Sequence, residues 1–125
     1  MGWLDGISLT TGQMAAVLEM PMRTVIDWVE RGVLVADLNP ATGHGSRRLF
    51  SNQALLRAIV AKFLIGRMGI RKKKVKEWLD KMERDGVFLS PPREPVLVAE
   101  EEAGQLWINL QRIADETQGV LHGLA

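Results

Sequence analysis

Cysteine is absent from the 125 residues. That excludes thiol nucleophiles, iron–sulfur clusters, thiolate zinc sites and any disulfide framework. No apolar run approaches the ~20 residues of a membrane span. The start, Met1-Gly2-Trp3-Leu4-Asp5-Gly6, lacks the basic segment and apolar stretch of a secretory signal. The expectation is a cytoplasmic protein. Histidine is scarce as well. His44 and His122 are the only two, far apart and without a carboxylate at metal-ligand spacing. No phosphate-binding glycine loop occurs, and Gly43-His44-Gly45-Ser46 lacks the strand-to-helix setting of a nucleophile elbow. No catalytic residue, metal or cofactor is expected, and an enzyme is the weakest reading.

Acidic residues are missing where cations are densest. Between Asp37 and Glu77 stand ten cations (Arg47, Arg48, Arg57, Lys62, Arg67, Arg71, Lys72, Lys73, Lys74, Lys76) and no Asp or Glu. The formal net charge of +1 conceals this division. Residues 1–85 carry fourteen Lys/Arg against nine Asp/Glu, and residues 86–125 carry two against six. Soluble surfaces ordinarily intersperse both signs. A long one-sign stretch is the footprint of a polyanion-binding face, although a solvated basic face has the same composition.

What remains is an ordinary globular composition, 46% apolar and 25% charged, enough for one compact domain with an appendage. Leu9 to Glu19 reads as a short helix, with Thr10 and Gln13 at capping-box spacing and Met14, Ala15, Val17 and Leu18 on its apolar face. Pro21 opens a second helix bearing Val25, Ile26, Trp28 and Val29, which Gly32 terminates. Two helices of about ten residues meeting at a tight turn have helix-turn-helix spacing. Val33-Leu34-Val35-Ala36-Asp37-Leu38, a loop over residues 39–46 and Arg47-Arg48-Leu49-Phe50 then read as a β-hairpin, a wing in that position.

Residues 52–67 are expected to form a third helix capped by Ser51 or Asn52. Gly66 and Gly69 mark a break, and residues 71–84 form a fourth helix with Val75, Trp78, Leu79 and Met82 on one face. Its first turn, Arg71-Lys72-Lys73-Lys74, places cations at the positive end of the helix dipole, at ~0.3–1 kcal/mol each. A phosphate at that end would turn the cost into attraction.

In this order the segments over residues 8–84 resemble the winged-helix DNA-binding domains of the MerR family and its excisionase-like relatives. The resemblance is carried by Leu9-Thr10-Thr11-Gly12-Gln13-Met14-Ala15-Ala16-Val17-Leu18, by Arg23 to Leu34, by Arg48-Leu49-Phe50-Ser51, and by Gly66-Arg67-Met68-Gly69-Ile70 with Lys74 to Leu79. Trp28-Val29 stands where MerR proteins usually have Tyr-Glu, and Ile26 where they favour arginine, so those family contacts do not transfer. Metal-sensing members use cysteines, so that effector class is excluded here. The expected fold is mostly α: a MerR-like winged helix-turn-helix with a two-stranded wing over residues 1–85, then a short acidic dimerisation or partner-binding segment over 86–125.

Arg23 and Thr24 begin the second helix, which in helix-turn-helix proteins lies in the major groove, where arginine pairs with guanine. Arg31 at its exit is a candidate phosphate contact. Asp27 and Glu30 are expected to pair with nearby cations or face away, and Trp28 is expected in the core, its indole N–H offering the alternative of a backbone phosphate contact. His44, Ser46, Arg47 and Arg48 belong to the wing loop, where an arginine suits a minor groove. Arg71, Lys72, Lys73 and Lys74 complete the candidate DNA-binding set.

Residues 86–98 contain Pro91, Pro92 and Pro95 and read as a linker or edge hairpin. Two readings of the remainder stand. Ala103, Leu106, Trp107, Leu110, Ile113 and Ala114 have helical spacing. Alternatively, Leu106-Trp107-Ile108 pairs with Val96-Leu97-Val98 across the acidic turn, leaving a helix from about Gln111. Trp107, Leu110, Ile113 and Leu121 form a large apolar set that must fold back, dimerise or meet a partner. Dimerisation after the fourth helix is what the family resemblance implies. The leading expectation is a sequence-specific double-stranded DNA-binding transcriptional regulator, a homodimer on a pseudo-palindromic site. Its rivals are an antitoxin-like DNA-binding protein whose tail masks a toxin, and an architectural factor that bends DNA.

Overall fold

The computed structural model describes residues 7–39 and 48–124, with side chains to Thr117. The fold is mostly α, with five α-helices and two small antiparallel sheets among the described residues. Strand β1 (Leu9–Thr10) leads into α1 (Thr11–Leu18), whose start is fixed by the expected capping box. Thr10 Oγ1 accepts from the Gln13 amide at 3.2 Å, and Gln13 Oε1 accepts from the Thr10 amide at 2.9 Å. Helix α1 therefore starts two residues later than Leu9, because Leu9 and Thr10 are engaged in a strand. Glu19 ends it in the left-handed conformation (φ 53°). After Pro21, α2 (Met22–Glu30) presents Val25 and Trp28 to the core. Gly32 follows at φ +76°.

The expected hairpin is corrected in its first strand. Val33 to Leu38 forms no strand. Strand β2 (Leu49–Phe50) instead pairs with β1, Leu9 opposite Phe50, and only an isolated bridge joins Asn39 to Leu49. The reason lies in the backbone groups after α2. The amides of Val33 and Leu34 donate to the Trp28 carbonyl, and Arg57 Nε donates to the Val33 carbonyl at 2.8 Å. Val33, Leu34 and Ala36 are buried in the hydrophobic core. Their apolarity reflects burial of an irregular segment.

Helix α3 (Asn52–Lys62) is the central element, capped by Ser51, whose hydroxyl oxygen accepts from the Ala54 amide at 3.4 Å. Asp37 anchors that cap by accepting from the Ser51 amide at 2.9 Å and from its hydroxyl. The expected third helix stays α-helical only to Lys62. It then widens into one π-helical turn, Phe63–Arg67, closed by the Met68 amide on the Phe63 carbonyl. Lys62 Nζ donates to the Leu18 carbonyl, tying α3 to the end of α1. Helix α4 (Lys72–Arg84) buries Val75, Leu79 and Met82, leaves Trp78 half-buried, and gives way to Gly86 at φ +76°.

The C-terminal segment adopts the hairpin reading. Strands β3 (Val96–Glu101) and β4 (Gly104–Ile108) pair antiparallel, with Val96 opposite Ile108 and Leu97 opposite Trp107. The register shifts between Leu97 and Ala99, so Val98 and Ala99 are both buried despite being adjacent. Helix α5 (Leu110–Leu124) follows, with Asn109 Oδ1 accepting from the Arg112 amide at 3.0 Å. Val98, Ile108 and Leu110 join the hydrophobic core built on α3.

Candidate nucleic-acid interface

Helix α2 carries the first candidate residues because its apolar period points Val25 and Trp28 inward. Arg23 and Asp27, four residues apart, therefore share an outer face. Arg23 is exposed and has no carboxylate partner among the described residues, while Thr24 is half-buried. Asp27 is a junction. It accepts from Arg31 Nε at 2.9 and 3.1 Å and from Lys72 Nζ at 2.9 Å. The Lys72 contact brings the first turn of α4 beside α2. One turn further on, the Lys76 side chain lies over Gly32, where a Cβ would come within 2.7 Å of Lys76 Cε. The side-chain hydrogen bonds from Lys72 and then Arg31 hold the Asp27 carboxyl below its ordinary value.

The four cations at the start of α4 divide into two kinds. Lys72 pairs with Asp27, and Lys74 pairs with Glu101 at 2.7 Å while lying 5.4 Å from the Trp78 ring. Arg71 and Lys73 are exposed and have no ion pair among the described residues. The unfavourable dipole placement is thus relieved within the chain at two of the four positions.

The larger correction concerns the ten cations without intervening acids. Carboxylates from outside that stretch return to it in three dimensions. Arg57 is 1% exposed and is no surface charge at all. Its Nη2 meets Asp80 Oδ1 at 2.7 Å and the Gly32 carbonyl at 3.3 Å, while Nη1 stands 3.4 Å from Glu83 Oε2 without hydrogen-bond geometry. Lys76 takes the other Asp80 oxygen at 2.7 Å. Burial raises the Asp80 pKa, but hydrogen bonds and charge from Lys76 and Arg57 outweigh it and hold the carboxyl below its ordinary value. The position of Arg57 in the sequence carried the signal: Val60 and Ala61, three and four residues on along the same face of α3, are both buried, as is Leu64 in the π-helical turn that follows.

Within the candidate DNA-binding set, four cations remain without an ion pair on the described surface, Arg23, Arg48, Arg71 and Lys73; outside that set, Lys62 and Arg67 are exposed and have none either. Arg48 is half-buried immediately before β2. Arg31 is exposed but held by Asp27. His44, Ser46 and Arg47 lie outside the described residues, as does the side chain of Leu121.

Among the predicted partner-contact residues, Leu110 is corrected. It is fully buried in the chain's own core and unavailable to a partner. Ile113 is half-buried against that core. Trp107 is 52% exposed. It lines an open groove of about 670 Å³ with Ile59, Phe63, Leu106, Arg67 and Arg112, between α3, β4 and α5. No cluster of three or more metal-ligating side chains occurs among the described residues, and no described helix is long and apolar enough to cross a membrane. No protein-family model, curated protein or solved structure matches the chain.

Proposed function

We propose that the protein is a sequence-specific double-stranded DNA-binding regulator of the winged helix-turn-helix type. The observation carrying this reading is a set of cations on the outer face of α2 and at the start of α4, brought together by the Asp27–Lys72 ion pair. Arg23 lies one turn before Asp27 on the outer face of α2, and Asp27 holds Lys72 between exposed Arg71 and Lys73. The first turn of α2 would enter the major groove, with Arg23 and Thr24 towards base edges. Arg71 and Lys73 would meet phosphates at the amide-rich start of α4. Arg48, which has no ion pair among the described residues, would add a further backbone contact.

The testing experiment is selection from a random duplex library, followed by a salt series on the selected sequence. A recurrent motif and an affinity falling steeply with salt are expected, since each neutralised phosphate adds about −0.9 to the log–log slope. No enriched motif and a flat salt response would remove the reading. The exposed apolar face around Trp107 and Phe63 supports a homodimer on a two-fold-related site. Sedimentation of the full chain as a concentration-independent monomer would remove that part alone.

A further inference from the structure

The proposed DNA-facing surface contains an acid that works against it. Asp27 stands among cations, with Arg23 one turn before it, Arg31 one turn after it and Lys72 across from it on α4. Its two oxygens occupy Arg31 and Lys72 together, at 2.9 Å each. The cluster is open to solvent: Lys72 is 39% exposed and Arg31 58%. Exposed ion pairs of this sort contribute little to folding. Arg71 and Lys73, flanking Lys72, have no such restraint among the described residues.

We propose that Asp27 is a specificity-determining residue, an internal stand-in for phosphate that withholds Lys72 and Arg31 from the nucleic-acid backbone. The inference rests on the DNA-binding reading above and concerns how the same face discriminates among sequences. Sequence-independent affinity grows with the number of phosphates that cations neutralise. A lysine or arginine already matched to a carboxylate must exchange one anion for another, so it adds little to that affinity. Base-edge contacts from Arg23 and Thr24 are untouched by the exchange. Specificity is a difference between two affinities, and lowering the nonspecific one widens it. An acid at this position thus trades total affinity for discrimination.

The test is titration of the full chain against a short random-sequence duplex from about 50 to 200 mM salt. The variants are Asp27→Asn, Lys72→Met, Lys73→Met and the double variant Asp27→Asn/Lys72→Met. Asp27→Asn is expected to bind about tenfold tighter at the low-salt end, with a log–log slope steeper by about 0.9 for each cation released. The double variant is expected to lose much of that gain. Lys72→Met alone is expected to weaken binding less than Lys73→Met, although the two residues are neighbours. Equal or weaker binding by Asp27→Asn with an unchanged slope overturns the proposal and identifies Asp27 as a structural clip. Equal losses from Lys72→Met and Lys73→Met also overturn it, and that comparison decides the matter if Asp27→Asn does not fold. If neither the unaltered chain nor Asp27→Asn shows salt-dependent binding, the DNA-binding reading itself fails and the proposal fails with it.

Discussion

Arg57 donates to the Asp80 carboxylate at 2.7 Å from a side chain that is 1% exposed, joining the middle of α3 to the outer half of α4. The same guanidinium reaches the carbonyls of Gly32 and Val33. One side chain therefore joins α3 and α4 to the exit of α2. Asp80 also accepts from Lys76, which lies over Gly32.

Arg57→Met should destabilise the chain by about 3 kcal/mol, the usual scale for removing one partner from a buried hydrogen-bonded charge pair. Two backbone carbonyls lose their side-chain donor, and the apolar replacement recovers only part of the packing. Urea denaturation followed by far-ultraviolet circular dichroism measures this directly. A loss under about 1 kcal/mol would mean that the guanidinium contributes no more than an exposed pair.

Stability should fall on acidification because Asp27 and Asp80 both have folded values below the ordinary aspartate value of 3.8. For a lowered carboxylate, the stabilising contribution is fully present above the unfolded value and is lost as pH falls through the folded one. It is therefore complete at neutral pH and disappears below about pH 4. Denaturation midpoints measured from pH 6 to pH 2.5 should drop most steeply at the acid end. The Asp27→Asn/Asp80→Asn variant should show a shallower drop, and identical acid profiles would rule out these two groups as the source.

The parts of the fold legible in sequence were those decided locally. Thr10 with Gln13, Ser51 with Ala54, and Val25 with Trp28 each act within four residues, so spacing alone foretells the cap or the buried face. The charge pattern was misleading because its compensation is distant. Lys72 finds Asp27 at a separation of 45 residues and Arg57 finds Asp80 at 23, so a cation run without acids is not a surface without acids. Val33 to Leu38 failed for another reason. Val33, Leu34 and Ala36 are buried while Val35 and Leu38 are about half exposed, and an apolar run alone does not separate a strand from a partly buried irregular segment. Of the candidate surface, Arg23, Arg71 and Lys73 are exposed cations without an ion pair among the described residues. Lys74 was not separable from them because its partner, Glu101, belongs to a hairpin whose existence the sequence left open.

Leu110 and Trp107 stand three residues apart and should respond to substitution in opposite ways. Leu110→Ala removes a fully buried side chain and should cost about 2–5 kcal/mol. Trp107→Ser removes a ring that is 52% exposed and should cost far less in a dilute monomer. Thermal melts at low concentration separate the two. Trp107→Ser should instead lower self-association in sedimentation experiments at high concentration. A large loss of monomer stability with no effect on association would assign Trp107 to the core.

Gly32 supports the geometry between α2 and α4 through two properties, and Gly32→Ala should disturb both. Its φ of +76° is disfavoured for any residue with a Cβ, at about 1 kcal/mol. The added Cβ would also sit 2.7 Å from Lys76 Cε. That contact is relieved only if the flexible lysine moves, which loosens its 2.7 Å bond to Asp80. A total loss of about 1–2 kcal/mol is expected, with the exposed lysine contributing the smaller share. Lys76→Ala should remove the steric part and leave the backbone part. Gly32→Ala should then cost about 1 kcal/mol in the Lys76→Ala background. A larger cost there than in the unaltered chain would show that Lys76 is not what limits the space around Gly32.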